Sequence, residues 1–406
     1  MTASLFTQRI QAWLGIAVLA QMLTTPRLWF VMPPDRPVFV PMVVAAPGWL
    51  HLVLSGLLAG AAFALVIRPR HRQASLWVVG LLIVLCALDE LRLQPWAWLF
   101  MLAGVLLFEA RRRDGRLGDV FLAQHMRLLL VGLYLWAALH KINSGFFAQT
   151  VPFFLEPFGF NDPSTGLRGV AGVVIIGSEL ALALFLWRAQ SMDRYALRFG
   201  VALHLGVIAL LGPAGQNYDP NVWTWNLSQA VLLALLLYKG GSSVPLIKVL
   251  RAKARPTLVL ASLVLLMPAL HVVRLAPANL SWALYAGNYD VGFLAATYGA
   301  TSPELERAVV PFPPHIVRAT YRFLQPQLGA VEGLQDVAYP PQIMKELGVT
   351  YPPDAGFIRR LQRAMCAELE PILILRPKDL PFAPNTKISI ERCDGSRLET
   401  AAPPFL

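Results

Sequence analysis

Apolar residues run through the first two thirds of this chain in long blocks, separated by short clusters of arginine, lysine, proline and glycine. A membrane-crossing helix needs about 20 mostly apolar residues, with a floor of about 17. The blocks at 11–30, 48–67, 169–187, 195–211, 222–238 and 257–273 meet that length. A seventh runs from about 119 to 140 and carries Gln124, His125 and Arg127 in its first turns. Two shorter blocks, 74–88 and 95–108, flank the polar stretch Asp89-Glu-Leu-Arg-Leu-Gln94 and predict a helical hairpin with a polar tip. The pattern predicts nine crossings in an all-α membrane bundle. The run 38–46 is too short to span and contains Pro41, so it is expected to be interfacial or re-entrant.

The pattern changes after about residue 273. Residues 274–406 are proline-rich, with helical periodicity near 315–323 and 353–369 and two short β-like runs at 372–375 and 387–391. They predict a small α+β cap with one hairpin, distinct from the bundle at 1–273. Antiparallel pairing of the two runs would bring Cys366 and Cys393 within reach, and a disulfide between them is expected. The third cysteine, Cys86, falls inside an apolar block and is expected in the core.

Composition agrees with the pattern. The chain is 56% hydrophobic and 15% charged, against about 25% charged in soluble domains. Its net charge of +11 lies wholly in residues 1–273, which hold 22 Lys/Arg and 11 Asp/Glu, whereas residues 274–406 hold 13 of each. A basic excess confined to membrane loops sets topology and argues against nucleic-acid binding. With the N-terminus inside, and with Arg127 and Arg198 left out because they fall within spans, the inner segments carry 15 Lys/Arg and the outer ones 5. This bias predicts a cytoplasmic N-terminus and an outer C-terminal cap. The first apolar run has no clear small-residue cleavage site and reads as a retained signal anchor.

On that topology the polar chemistry collects at the outer face. Lys141 ends the seventh block. An ammonium there is either a snorkelling anchor or a reactive amine that apolar surroundings favour in its neutral form. Glu179 and His204 interrupt the next two blocks, and polar groups at such positions are functional candidates or bonds between helices. The segment 212–226 is polar and aromatic. It is either an interfacial loop anchored by tryptophan or a lid over an outer pocket. As a lid, Trp223 and Trp225 would stack a flat ring while Gln216, Asn217 and Asn226 supply amide hydrogen bonds. Asn143, Gln94 and Trp96 lie on the neighbouring outer segments and join the binding candidates. Asp89 and Glu90 are read as surface charges pairing with Arg92 in preference to acid/base groups. His140 and His204 could be imagined with Glu179 as a metal set, but no His-x-x-x-His or cysteine cluster supports it, so no metal is expected. The chain has no phosphate-binding loop, dinucleotide fingerprint or nucleophile elbow.

Taken in order, Tyr134-Leu-Trp-Ala-Ala-Leu-His-Lys-Ile-Asn143, the acidic residue in Gly177-Ser-Glu179 and the histidine on the next span resemble the horizontally transferred transmembrane (HTTM) domain. This is the membrane part shared by vitamin K-dependent γ-glutamyl carboxylases and many bacterial proteins. The stretches Leu88-Asp-Glu-Leu-Arg-Leu-Gln-Pro-Trp96 and Gly-Gln-Asn followed by Val-Trp-Thr-Trp-Asn226 resemble the bacterial members. The resemblance covers about residues 8–290. It implies a bacterial cytoplasmic membrane, a quinol or vitamin K-like lipid as cofactor and Lys141 as the base that deprotonates it, with His140 and Glu179 beside it. The carboxylase Asn-His-Ser-Tyr stretch would fall at Gln94-Pro95-Trp96, where there is no histidine, and about 130 residues replace the large outer domain. What carries over is therefore a lipid-quinol site more than glutamate carboxylation. The competing readings are a non-catalytic membrane ligand binder and an accessory subunit of a quinone-linked membrane complex. A transporter is disfavoured by the lack of a visible inverted repeat.

Overall fold

The computed structural model describes residues 4–31, 40–68, 71, 73–113, 115–160, 163–188, 192–215, 220–237, 245–251, 254–273, 275–277, 280–283, 286, 291–297, 334–337, 355–366, 372–376 and 387–401. The chain is predominantly helical. The N-terminal helices are α1 (Leu5–Thr24), α2 (Pro26–Phe30), α3 (Gly48–Ile67), α4 (Ala74–Leu88), α5 (Pro95–Ala110) and α6 (Gly115–Leu139). They are followed by α7 (Val151–Leu155), α8 (Thr165–Arg188), α9 (Asp193–Leu211), α10 (Pro220–Leu237), α11 (Leu246–Arg251), α12 (Arg255–Ala261) and α13 (Met267–Val272). A last helix, α14 (Ala355–Met365), belongs to the C-terminal region.

Five helices among the described residues are long and apolar enough to cross a membrane: α3, α6, α8, α9 and the continuous helix Arg255–Val272 formed by α12, a π turn and α13. At 15 and 16 residues, α4 and α5 rise only about 22–24 Å, short of the ~30 Å hydrocarbon core. α1 and α10 are long enough, but Thr7, Gln11 and Gln21 dilute the first and Asn221, Asn226, Ser228 and Gln229 the second. All seven of these polar side chains are buried. The outward surface is the reverse of a soluble protein's: Val53, Leu57 and Phe63 of α3 and Val170, Val173 and Leu184 of α8 are exposed, as lipid-facing positions are.

The inward polar groups tie helix ends together. Gln21 Nε2 donates to the Asn221 carbonyl (3.1 Å) and Trp13 Nε1 to that of Ser228 (2.8 Å), joining α1 to α10. The hydroxyls of Ser4 and Thr7 donate to Asp119 at the start of α6. Arg127 of α6 pairs with Asp193 at the start of α9. Thr257 at the start of α12 donates to His125 Nε2 (2.9 Å), because the other ring nitrogen donates to the Phe121 carbonyl. Where backbones approach closely a side chain is lacking. A Cβ on Gly15 would lie 2.5 Å from the Ala62 oxygen of α3, and one on Gly132 would lie 2.6 Å from the Val264 oxygen. The second contact falls in the π turn Ser262–Leu266. Pro268 has no N–H to offer the Val264 carbonyl four residues back, and α6 fills the gap. Trp136 also donates to the adjacent Leu265 carbonyl (3.0 Å).

Among the described residues the C-terminal region carries five strands: β1 (Val291–Thr297), β2 (Leu334–Val337), β3 (Ile372–Arg376), β4 (Lys387–Glu391) and β5 (Arg397–Ala401). They form one antiparallel sheet in the order β2-β1-β3-β4-β5. The expected hairpin is the β3–β4 pair, in register Ile374↔Ile390, but the sheet is larger than expected. The expected helical piece at 315–323 lies outside the described residues. α14 rests against β1 and β3. A disulfide joins Cys366, just after α14, to Cys393 in the β4–β5 turn, with Cα atoms 5.6 Å apart. Closing 27 residues of chain is expected to stabilise the cap by about 3 kcal/mol. Unfolding of the cap with and without reductant checks this.

Arg359 of α14 grips Glu391 bidentately, at 2.8 and 2.7 Å. These hydrogen bonds hold the Glu391 carboxyl below the ordinary glutamate value. A group lowered in the folded state contributes stability that is whole above its unfolded value, about 4.3, and is lost as pH falls through the lowered one. Acid titration of cap unfolding below about pH 4 is expected to show this loss, and Glu391→Gln should flatten it.

The hairpin tip corrects the sequence reading. Asp89, Glu90 and Arg92 are 0%, 2% and 0% exposed; they are not surface charges. The tip is a 3-10 turn, Glu90–Arg92, covered by the irregular segment at 40–46. Glu90 N donates to the Val40 carbonyl (2.7 Å), and Val40 N donates to Asp89 (3.2 Å). Arg92 donates to the Leu28 carbonyl and to His51 Nδ1 (2.9 Å). Arg360 of α14 closes on Glu90 with two bonds of 2.6 Å, so the buried tip is also where the cap meets the bundle.

Candidate functional site

α6, α8, α9 and α10 converge on a cavity of about 430 Å³. Its walls follow helical spacing: Leu133, Tyr134, Ala137 and Lys141 from α6 and the turn after it, Ile175, Ser178 and Glu179 from α8, and Leu203, Val207 and Leu210 from α9. α10 contributes Val222, Trp225, Asn226 and Gln229, and Trp282 completes the wall. Most of this lining is apolar, with a few polar groups gathered in it, as in small-molecule sites.

Lys141 lies in the turn that ends α6 and is buried. Its Nζ donates to the Ala137 carbonyl (2.9 Å) and to both oxygens of Glu179 (2.8 and 2.9 Å). All three ammonium hydrogens are thereby engaged. A free amine poised as a base is not what the structure holds: a proton must leave Lys141 first, and the acceptor in contact is Glu179. The pair also leaves no net charge at the wall.

The second polar group is a chain of three residues. Asn226 Nδ2 donates to the Val222 carbonyl (2.7 Å), which turns Oδ1 towards His204 Nδ1, 2.7 Å away. An amide oxygen only accepts, so Nδ1 carries the proton and Nε2 is the acceptor. Tyr134 then donates its hydroxyl hydrogen to Nε2 at 2.6 Å. Asn226 positions the imidazole, and the imidazole holds the phenol proton beside the cavity. Such a pair can take a proton through the phenol oxygen or return one, given a partner in the cavity.

No family model, no curated protein and no solved structure matches the chain. The reading of the site therefore stands on its geometry.

Of the sequence candidates, Lys141, Glu179, His204, Trp225 and Asn226 line the cavity together. The others do not. The His140 ring lies beside those of Trp136 and His271, with centroids 5.2 and 5.1 Å away, and is not part of the wall. Asn143 braces the turn: it donates to the His140 and Ala286 carbonyls and accepts from Phe146 N. Trp223 donates to the Leu211 carbonyl (2.7 Å) and pins the end of α9. Gln94 donates back to the Leu91 carbonyl, and Trp96 packs on Trp29 and Phe100. The hairpin tip is thus not a wall of this pocket; its charged side chains bond to Val40, Leu28, His51 and Arg360 instead. Gln216 and Asn217 lie outside the described residues. Among the described residues no group of three His, Cys, Asp or Glu stands close enough to hold a metal ion.

Tyr134, Gln229 and Trp282 are among the lining residues that sequence reasoning missed. Two of them had a signal. Tyr134 is seven residues before Lys141, on the same helix face, and Gln229 is three after Asn226. Trp282 follows the last membrane helix and had none.

Proposed function

We propose that this protein binds a hydrophobic small molecule or lipid within the membrane, in the cavity between α6, α8, α9 and α10. One observation carries this: a 430 Å³ void walled by apolar side chains, into which an ion pair and a tyrosine–histidine pair are gathered. A bundle that used Lys141 and Glu179 only as a structural bridge has no need of the void. Purified in mild detergent, the chain is expected to retain about one hydrophobic molecule per protein, identified by mass spectrometry of the extract. Ala137→Phe, which adds a ring to the cavity wall, is expected to abolish that retention. Unchanged retention in the variant would place the ligand elsewhere.

A second reading is an enzyme acting on a quinol-like or lipid-like substrate, as the resemblance to the HTTM domain of vitamin K-dependent carboxylases implies. The presence of two proton-holding pairs in one apolar cavity favours it. In that form the Tyr134–His204 pair takes the substrate proton, and Lys141 acts only with Glu179.

We further propose nine crossings of a bacterial cytoplasmic membrane, with the N-terminus inside and the cap outside. The loop charge bias supports this, and so do the bonds between helix ends. The starts of α1, α6, α9 and α12 are joined to one another by side chains, and the end of α1 is joined to the start of α10. Single cysteines at Arg113 and Arg397 are expected to label from opposite sides of sealed vesicles; labelling from one side overturns the topology.

A further inference from the structure

The walls of the cavity are unequally covered. Tyr134 and Lys141, Phe154 of α7, Leu211 at the end of α9, Val222 of α10 and Trp282 line it and are all buried. Three other lining residues are exposed: Val174 of α8, at 63%, and Ala202 and Gly206 of α9. Among the described residues, the exposed lining thus lies on α8 and α9 alone. The packing between these two helices accounts for it. Near their connection they touch. The rings of Phe185 and Phe199 meet edge to face with centroids 5.9 Å apart, and a Cβ on Gly200 would lie 3.2 Å from Leu182. Where the cavity reaches α9, the edge of that helix is Ala202 and Gly206, one turn apart. A Cβ on Gly206 would meet nothing within 4 Å. The seam is therefore filled by large side chains at one end and left without them at the other. The surface around the gap is apolar: Val170, Val173 and Leu205 are exposed, on two helices long and apolar enough to cross a membrane.

We propose that the gap edged by Val174, Ala202 and Gly206 is a lateral mouth, through which the cavity takes its ligand from the hydrocarbon of the bilayer and not from water. The occupant that fits is an uncharged, mostly apolar compound of small-molecule size, already dissolved among the lipid chains. A cavity of about 430 Å³ holds a molecule of that size. Passage costs such a molecule little desolvation, because the lipid chains and the edges of the mouth are alike apolar. A charged molecule would be stopped there, since nothing at the edge offsets the loss of its hydration. Gly206 is the position that keeps the mouth open. A long side chain on a helix lies back over the preceding turn, so one at residue 206 would cross Ala202 and cover the gap. The inference rests on the ligand-binding reading above and goes beyond it in assigning the route of entry and the residues that set it.

A small aryl trifluoromethyl diazirine, an apolar photolabel that partitions into lipid, tests the route in the full chain reconstituted in vesicles. Labelled residues are identified by mass spectrometry after light that follows mixing at once or after a long incubation. In the native chain the buried wall residues Leu133 and Tyr134 are expected to be labelled, as are the exposed Val53 and Leu57 on the outside of α3. Gly206→Trp is expected to lower early labelling of the wall about tenfold while α3 is labelled as before. Long incubation is expected to restore the wall signal, because the variant slows entry and leaves the cavity intact. Ala202→Trp narrows the same mouth and is expected to act in the same direction, which covers a Gly206 variant that fails to fold. Gly56→Trp, at an exposed glycine of α3 with equally open surroundings, is expected to leave the wall labelled as in the native chain. Early wall labelling that persists in both mouth variants, falls equally in Gly56→Trp, or is lost without recovery on incubation overturns the mouth while leaving the pocket standing. An unlabelled wall in the native chain overturns the pocket, and the mouth with it.

Discussion

Lys141→Met is expected to destabilise the folded bundle by about 3 kcal/mol, because it leaves the Glu179 carboxylate buried without its ion-pair partner. An isolated reactive amine predicts the opposite, a normally folded protein that has only lost activity. The two are told apart by thermal unfolding of the detergent-solubilised chain. Lys141→Met with Glu179→Leu removes both charges and is expected to recover most of the loss, since a buried pair replaced by apolar side chains is often neutral. Lys141→Arg gives the third comparison. A guanidinium can meet both oxygens of Glu179 and stays protonated, so the fold is expected to survive while any step needing a proton to leave residue 141 stops. If Lys141→Met unfolds like the native chain, the contact with Glu179 contributes little to the fold, and the snorkelling or free-amine readings return.

The parts of this molecule that were legible in its sequence are those written in local pattern. The helices follow from apolar runs, and Lys141, Glu179 and His204 stand out because a polar side chain inside such a run is costly. Helical spacing would have added Tyr134 and Gln229 had the polar residues of α6 and α10 been projected onto one face. What was not legible depends on pairings between distant segments. The tip charges Asp89, Glu90 and Arg92 look like surface residues by composition. They are buried because the segment at 40–46 folds over them and Arg360, 270 residues away, closes on Glu90. β1 reads Val-Gly-Phe-Leu-Ala-Ala-Thr and β5 Arg-Leu-Glu-Thr-Ala. The first has no clean alternation and the second carries one large apolar residue, Leu398, which is exposed, so neither declares itself without the sheet that pairs it. Trp282 enters the cavity wall from a turn, where no periodicity operates.

Arg360→Ala is expected to loosen the cap from the bundle by about 2 kcal/mol, below the scale for breaking a fully buried ion pair because the Arg360 side chain is 30% exposed. The Glu90 side chain is 3% exposed and accepts two hydrogen bonds of 2.6 Å from the Arg360 fork. The helix carrying Arg360 is itself fixed to the cap by the Arg359–Glu391 pair and by the disulfide just beyond its end. Cap and hairpin tip therefore meet through a rigid element, and strain at the ion pair cannot be absorbed by α14 swinging away. Hydrogen exchange is the measurement that separates local from global loss. In Arg360→Ala, amides of α14 and of the segment at 40–46 are expected to lose protection while those of α6 and α10 keep it. Arg360→Lys retains the charge without the fork and is expected to lie between the two. Glu90→Gln with Arg360→Leu leaves no buried charge and is expected to hold the cap better than Arg360→Ala alone. Unchanged exchange in Arg360→Ala would mean that the sheet and loop contacts seat the cap without the ion pair.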